Sequence, residues 1–321
     1  MDSKVRSIDV LALERWRASA AAVADTDGTA VTGASEPDSV SLEALAEPVG
    51  TEVYTQRIVA LDEDRREHER ILPAGGILGV TGGAYKMLRT QVLRRLRELK
   101  ATTLAVLSAS NGEGKTLSAI NLAVAIAADP GYTVLLVDLD LRNPSVHRRF
   151  GFEPKLGVED CIEQGREVRD AMVQVAGYDR LVLLPARGRV GLSSELLATE
   201  RMSELVLELR TRYPNRIVIF DLPPVLLADD ALAFSRNIQA GLFVVAEGVT
   251  IREDIARSMA LLRHVPIVGT VLNRSRDSAG AFHIDASGAP VYARRFLEAW
   301  GFYDGLAAVE DLHLNAVPAH V

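Results

Sequence analysis

The segment at 104–128 constrains the fold more than any other part of this 321-residue chain. A short apolar run, Leu104–Leu107, leads into the glycine-rich sequence ASNGEGKT at 109–116, and an apolar helical pattern follows at once. A strand, a glycine turn and a helix in direct succession are typical of a phosphate-binding loop. Gly112 and Gly114 let backbone N–H groups approach phosphate oxygens, and the helix start adds a partial positive charge.

The end of this loop predicts a nucleoside triphosphate with Mg²⁺ as the ligand. Lys115 can reach the β and γ phosphates, and the Thr116 hydroxyl can ligate the metal ion. Ala109 occupies the place of the first glycine in the strict pattern. The residues expected to bind the nucleotide here are Asn111, Gly112, Glu113, Gly114, Lys115 and Thr116.

Acidic residues follow two further apolar runs. Asp138 and Asp140 come after the run at 134–137, and Asp221 ends the run at 217–220. Ligands of open α/β sheets bind outside the carboxyl ends of the strands, so these carboxylates are expected beside the loop. They can hold Mg²⁺, directly or through water, or accept a proton from an attacking hydroxyl. The alternative is that Asp138 and Asp140 are solvated acids with Arg142 as their ion-pair partner.

Asn273 follows the last apolar run, at 268–272. Its amide could read an adenine edge, but asparagine is common where strands end, and the sequence favours neither interpretation. It is therefore kept as a candidate nucleotide-binding residue.

The apolar runs alternate with helical patterns from residue 83 onward. Runs at 104–107, 134–137, 181–184, 217–220, 242–245 and 268–272 predict strands, and the patterns at 83–100, 115–128, 193–212 and 252–263 predict helices. Buried runs separated by helices predict an α/β fold, a doubly wound, mostly parallel sheet of about seven strands with helices on both faces. We expect this domain to span 76–275, after a disordered acidic leader at 1–75 and before a partly helical tail at 276–321.

Charge and composition exclude several classes. Residues 1–70 contain fifteen Asp or Glu against eight Lys or Arg, which accounts for the whole formal net charge of −7. A neutral main body argues against a nucleic-acid-binding protein, which usually has a basic face. The single cysteine, Cys161, excludes an intrachain disulfide. No apolar run reaches the length of about 18 residues that a membrane helix needs, so we expect no direct membrane insertion.

The three motifs in this order resemble the bacterial tyrosine kinases (BY-kinases), which descend from the MinD/ParA group of P-loop ATPases. The resemblance rests on the Walker A loop, the A′ motif VDLDLR at 137–142 and the Walker B motif FDLPP at 220–224. It extends to AYKMLRT at 84–90, SSELLATERM at 193–202 and GTVLNR at 269–274.

The resemblance implies an ATP- and Mg²⁺-dependent protein-tyrosine autokinase that regulates the polymerisation and export of capsule or exopolysaccharide. It implies Lys115 and either Asp138 or Asp140 as catalytic residues, Arg142 at the nucleotide, and Thr116, Asp138 and Asp221 at the metal. It also implies a cytoplasmic location at the inner membrane, through a separate membrane-bound co-polymerase that acts as activator, and possible homo-oligomers.

Two alternatives to the autokinase stay open. BY-kinases typically end in a cluster of tyrosines, whereas this tail offers Tyr292 and Tyr303 as the candidate autophosphorylation sites. This favours the first alternative, a kinase-derived ATPase that acts as a nucleotide switch on the same machinery. The second alternative is a MinD/ParA-like positioning ATPase, which would have a lysine early in the loop, where this chain has Ser110.

Overall fold

The computed structural model describes residues 57–74, 79–213, 215–275 and 314–318. The strands are β1 (Arg57–Val59), β2 (Thr103–Ser108), β3 (Thr133–Asp138), β4 (Val173–Val175), β5 (Leu181–Leu184), β6 (Arg216–Asp221), β7 (Gly241–Ala246), β8 (Ile267–Ser275) and β9 (Leu314–Pro318). The helices are α1 (Glu63–His68), α2 (Gly79–Glu98), α3 (Lys115–Ala127), α4 (Val146–Phe150), α5 (Val158–Gln164), α6 (Val168–Ala171), α7 (Ser193–Leu197), α8 (Glu200–Thr211), α9 (Asp230–Phe234) and α10 (Arg252–Leu261), with a 3₁₀ turn at Ser235–Asn237.

The nine strands of the described residues belong to one sheet, in the order β1-β4-β5-β3-β6-β2-β7-β8-β9. Every neighbouring pair is parallel except β4 with β5, which is antiparallel. The mostly parallel α/β fold expected from the sequence is therefore confirmed, and the part of the chain that the structure describes has nine strands where about seven were expected. The short strands β1 and β4 lack a long apolar run, and β9 lies in the expected tail.

Alternate residues of the central strands enter two separate apolar cores. Leu104 and Val106 of β2 pack with α2 and α3 in one core. Ala105 and Leu107 of the same strand pack in the other core, which includes the apolar side of α8. Helices therefore cover both faces of the sheet, and the interior strands are buried on both sides, as parallel strands require.

The described fold already begins at β1, before the domain start that was expected at residue 76. β1 pairs with β4, and the turn after α1 is held by buried hydrogen bonds. Asn121 Oδ1 on α3 accepts a bond from Leu72 N at 2.9 Å, and Tyr178 Oη donates to Leu72 O at 2.8 Å. The sequence did not predict this segment as part of the fold because it is acidic and only a few apolar residues, such as Ile71, attach it to the core. The leader before residue 57 lies outside the described residues.

The expected helix at 193–212 is two helices, α7 and α8. Ala198 ends the first, and Thr199 caps the second, since its hydroxyl accepts a hydrogen bond from Met202 N at 3.2 Å. A threonine cap starts a helix in a new direction without leaving the first N–H groups unpaired. None of the helices in the described part of the chain has the length and apolar character required to cross a membrane.

The strand order determines where the motifs meet. β2 leads into the glycine-rich loop and lies beside β6, which in turn lies beside β3. Asp138 and Asp221 are direct partners in the register of β3 and β6. The loop and both acidic motifs therefore meet at the carboxyl edge of three adjacent strands, where ligands of such sheets bind.

Candidate functional site

The loop between β2 and α3 depends on glycine at two positions. Gly112 has φ 79° and Gly114 has φ 91°, a left-handed conformation that residues with a Cβ rarely adopt. A Cβ added to Gly114 would also lie 1.9 Å from Asn273 Nδ2. The tight approach of Asn273 thus adds a second reason for glycine at position 114. Ala109, in place of the usual first glycine, is fully buried.

Glu113 braces this loop from inside. Its Oε2 accepts a hydrogen bond from Ser110 N at 2.8 Å, and its Oε1 accepts one from Thr250 Oγ1 at 2.5 Å. The residue is almost fully buried, so its carboxylate faces the protein. The nucleotide contact predicted for Glu113 can therefore be made only by its backbone.

The end of β8 braces the loop from the other side. Asn273 Nδ2 donates to Glu113 O at 2.9 Å, and Asn273 Oδ1 accepts a bond from Arg274 N at 2.9 Å. Arg274 Nη2 donates to Gly112 O at 2.5 Å. Both ends of the Asn273 amide thus have partners within the chain, which identifies a loop-supporting role. Its contact with adenine remains a prediction.

Lys115 and Thr116 lie against the acids at the strand ends. Lys115 Nζ is 2.8 Å from Asp140 Oδ2 and 3.4 Å from Asp221 Oδ1. Thr116 Oγ1 donates to Asp221 Oδ2 at 2.6 Å. Four of the residues predicted from three separate motifs are therefore in direct contact.

Asp138 is held by backbone N–H groups. Its Oδ2 accepts bonds from Ser145 N at 2.9 Å and Val146 N at 3.0 Å, and its Oδ1 accepts one from Asp140 N at 3.2 Å. Burial and the neighbouring charge of Asp221 raise the pKa of Asp138 to about 7, against the lowering effect of these bonds. The carboxylate is thus fixed in place and able to gain or lose a proton near neutral pH.

Burial also raises the pKa of Asp221, although Lys115 and the Thr116 hydroxyl oppose that shift. Burial lowers the pKa of Lys115, but Asp221 and Asp140 outweigh it and the net shift is upward. Three carboxyl groups thus share one lysine. Such an excess of buried acid favours an additional cation.

A hydroxyl and carboxylates are the oxygen ligands that Mg²⁺ prefers. The described residues contain no group of three or more His, Cys, Asp or Glu arranged to hold a metal by themselves. In nucleotide sites, Mg²⁺ is usually held by one or two protein groups together with phosphate and water. Thr116 with Asp221 supplies such a pair.

A cavity of about 380 Å³ opens onto these residues. Its lining includes the predicted Asn111, Gly112, Gly114, Lys115, Thr116 and Asp140. Six further lining residues were not predicted: Glu69, Ser110, Asn143, Ser145, Arg148 and Arg149. Four of them directly follow the A′ motif, so their nearness in sequence was the available signal. No signal in the sequence pointed to Glu69, because it lies 46 residues upstream of Lys115.

Arg142 points elsewhere. Its Nε donates to Asp230 Oδ2 at 2.8 Å and its Nη2 donates to Asp229 Oδ1 at 3.2 Å. It does not line the cavity. Arg142 is therefore an ion-pair partner, but of Asp229 and Asp230 at the start of α9 and not of Asp138 or Asp140. Its contact with a nucleotide remains a prediction.

Other reactive groups lie apart from the cavity lining. Cys161 is buried, and burial and the charge of Asp160 raise the pKa of its thiol to about 12. Glu195 Oε2 accepts a bond from Ser194 Oγ at 2.9 Å. The predicted phosphorylation sites, Tyr292 and Tyr303, fall outside the described residues.

Comparison with known proteins identifies the relatives of this chain. Residues 104–288 match the CbiA family, the CobQ/CobB/MinD/ParA nucleotide binding domain. "Tyrosine-protein kinase YwqD" of Bacillus subtilis is 31% identical over 191 residues, which are 59% of this chain and 79% of the relative. "Succinoglycan biosynthesis transport protein ExoP" of Rhizobium meliloti is 30% identical over 203 residues, 61% of this chain but only 25% of the relative.

A solved structure agrees. "The kinase domain of Escherichia coli tyrosine kinase ETK" superimposes with a TM-score of 0.54 at 29% identity, over 59% of this chain and 73% of that one. The fold, the meeting of the Walker A, A′ and Walker B motifs and these relatives lead to one assignment. The chain belongs to the BY-kinases, within the CobQ/CobB/MinD/ParA family of P-loop nucleotide-binding proteins.

Proposed function

We propose that this chain is an ATP- and Mg²⁺-dependent protein-tyrosine autokinase that regulates the polymerisation and export of capsule or exopolysaccharide. The observation that carries the proposal is the contact of Lys115 and Thr116 with Asp140 and Asp221 beside a cavity. These residues belong to the motifs that the chain shares with tyrosine-protein kinases. Phosphoryl transfer requires little beyond such positioning and charge stabilisation.

The loop and its neighbours would hold the nucleotide. The backbone N–H groups at 112–116 would bind phosphate oxygens, and Lys115 would exchange its bond with Asp140 for the phosphates. Thr116 would ligate Mg²⁺ directly, and Asp138 and Asp221 would act through water. Mg²⁺, when bound, would neutralise charge on the transferred phosphoryl group.

Asp138 is the stronger candidate for the base that takes the proton from the attacking tyrosine. Its raised pKa, about 7, suits a group that must accept a proton near neutral pH, and three backbone N–H groups keep it in place. Asp140 is the alternative, because it lines the cavity and Asp138 does not. Its charge is engaged by Lys115 until a phosphate takes over that lysine.

The substrate and the partner are proposed by analogy with the family. We expect phosphate on Tyr303 or Tyr292, and a separate membrane-bound co-polymerase as the activator that keeps this chain at the inner membrane. The name of the ExoP relative, which refers to succinoglycan biosynthesis and transport, supports a role in exopolysaccharide production.

The test is incubation of the purified full chain with Mg²⁺ and γ-labelled ATP, followed by peptide mapping. A Lys115→Met variant is the control. Phosphotyrosine at Tyr303 or Tyr292 in the wild type alone would support the kinase. Labelled phosphate released without labelled protein, also in the presence of the cytoplasmic segment of a membrane partner, would contradict it.

That second outcome would favour a nucleotide switch that hydrolyses ATP without modifying protein. The two tyrosines of the tail, in place of a cluster, are the observation behind this alternative. A MinD/ParA-like positioning role has less support. Ser110 stands where that group has its second lysine, and its backbone N–H is already bonded to Glu113.

A further inference from the structure

Two arginines line the cavity in addition to Lys115. Arg148 and Arg149 lie on α4, which begins directly after the loop that holds Asp138. The cavity they line is the same one that the phosphate-binding loop lines through Gly112 and Lys115. The motif analysis gave neither arginine a role.

Arg148 has a fixed backbone and an uncompensated charge. Its carbonyl oxygen accepts a hydrogen bond from Arg65 Nη1 at 3.1 Å. Its Nη2 donates to Asn143 Oδ1 at 3.1 Å, and it forms no ion pair with an acid of the described ranges. A guanidinium with only a neutral partner retains donors for an anion that enters the cavity.

Arg149 is paired, but with a residue that also lines the cavity. Its Nη1 is 2.9 Å from Glu69 Oε2, and both side chains are partly exposed, at 32% and 24%. Its Nε is buried and has no hydrogen-bond partner within the described part of the chain. The ion pair with Glu69 therefore leaves the Nε donor of Arg149 without a hydrogen-bond partner in the described part of the chain.

A polyphosphate would change this balance. It brings several negative charges beside Glu69, whose carboxylate they would repel. The guanidinium forks of Arg148 and Arg149 match phosphate oxygens and can bind them bidentately. The acids Asp138, Asp140 and Asp221 do not compete for these arginines, since their bonds go to Lys115, Thr116 and backbone N–H groups.

We propose that Arg148 and Arg149 form a second phosphate-binding wall, which contacts the terminal phosphate of a bound nucleoside triphosphate. Glu69 pairs with Arg149 and gives it up when that phosphate arrives. The inference rests on the nucleotide binding that the proposed function requires, but not on tyrosine phosphorylation. It also makes the segment before residue 75 a part of the nucleotide site.

The test compares a triphosphate with a diphosphate. Isothermal titration of the full chain with Mg²⁺ and either the non-hydrolysable imido analogue of ATP or ADP gives two dissociation constants for each variant. Arg148→Gln and Arg149→Gln should each weaken the triphosphate about tenfold, the usual scale for one charge-assisted hydrogen bond, and change ADP less than about twofold. Glu69→Gln should strengthen the triphosphate by about threefold and leave ADP unchanged, because it removes a competitor and a repulsive charge.

Arg257→Gln is the matched control, since it removes an equal charge from an exposed pair with Asp254 on α10. Arg149→Lys is a second variant that keeps the charge if Arg149→Gln fails to fold, and it should show a smaller loss for the triphosphate. Equal losses for both nucleotides, or no loss, would overturn the proposal. If an acidic peptide substrate were the ligand of the two arginines, their substitution would leave the affinity for both nucleotides unchanged.

The same measurement separates this inference from the kinase proposal. If the variants lose affinity for the triphosphate alone but no tyrosine is ever labelled, the arginine wall is supported and the kinase proposal is contradicted. A chain that binds neither nucleotide overturns both.

Discussion

The Thr116 hydroxyl and the Asp221 carboxylate are joined by a buried hydrogen bond of 2.6 Å between two motifs 105 residues apart. Lys115 approaches the same carboxylate from the start of α3. This bond keeps the hydroxyl directed at the acid beside which we propose that a metal ion binds. The two proposed metal ligands are thus already held in contact by the fold, which would lower the cost of binding a metal ion there.

Thr116→Val should therefore reduce affinity for ATP in the presence of Mg²⁺ and have little effect in its absence. The substitution keeps the shape of the side chain and removes the hydroxyl, which is the proposed metal ligand and the donor to Asp221. We expect a loss of about tenfold with Mg²⁺, the scale of one charge-assisted contact. Titration with ATP in Mg²⁺ and in EDTA measures it. Thr211→Val on the exposed side of α8 is the control, and an equal loss in both buffers would contradict a role at the metal.

Asp138→Asn and Asp140→Asn should separate the two candidate bases. Removal of the base should lower the rate of phosphoryl transfer by about 10²- to 10⁴-fold and leave nucleotide affinity nearly unchanged. We expect this pattern for Asp138→Asn. Asp140→Asn should alter affinity instead, because its carboxylate competes with phosphate for Lys115. Single-turnover rates together with dissociation constants decide the assignment, and the reversed pattern would make Asp140 the base.

The sequence was sufficient to predict the central part of the fold and the contacts between the motifs. Each long apolar run became a strand, because a strand buried on both faces must be apolar throughout. The meeting of Lys115, Asp138 and Asp221 followed from the rule that carboxyl ends of parallel strands share an edge. Local pattern and global fold agree here, so short-range reasoning succeeded.

The missed features depend on long-range contacts. Glu69 reaches the cavity only because β1 pairs with β4 and the following segment binds to Asn121. Arg142 pairs with Asp229 and Asp230, which are 87 and 88 residues away in sequence. No local pattern encodes such pairings, so they appear only when the chain is folded.

Stability should depend on the protonation of Asp138. Its pKa lies near 7 in the folded protein and at 3.8 by default in the unfolded chain, so the folded state binds the extra proton between these values. The stabilisation associated with that proton is complete below about pH 4 and is lost as the pH rises through about 7. Asp138→Asn lacks this titration. Its free energy of unfolding relative to wild type should increase by roughly 2–4 kcal/mol from pH 4 to pH 8. Urea unfolding across this range measures the difference, and a constant difference would contradict the raised pKa.

Gly114→Ala should abolish tight nucleotide binding without unfolding the protein. The left-handed backbone and the contact with Asn273 Nδ2 both oppose a methyl group. The strain costs about 1–3 kcal/mol and displaces the loop, so affinity for ATP should fall at least about tenfold. Gly188→Ala is the control, because a Cβ there meets nothing within 4 Å. Titration with ATP and thermal unfolding of both variants test this expectation, which unchanged affinity of Gly114→Ala would refute.

Tyr178→Phe should weaken the attachment of the segment before residue 75. The Tyr178 hydroxyl donates to Leu72 O, and burial raises its pKa to about 12, so it stays protonated as a donor at neutral pH. Its removal leaves a buried carbonyl oxygen without this donor, which costs about 1–2 kcal/mol in the free energy of unfolding.

Tyr132→Phe is the matched control, since Tyr132 is partly buried and its hydroxyl has no partner in the described ranges. Urea denaturation measures both variants. Amide exchange at Leu72 should also become faster in Tyr178→Phe alone, because the segment then opens locally at a lower free energy. Equal stability and exchange in the two variants would mean that the hydroxyl does not hold this segment on the fold.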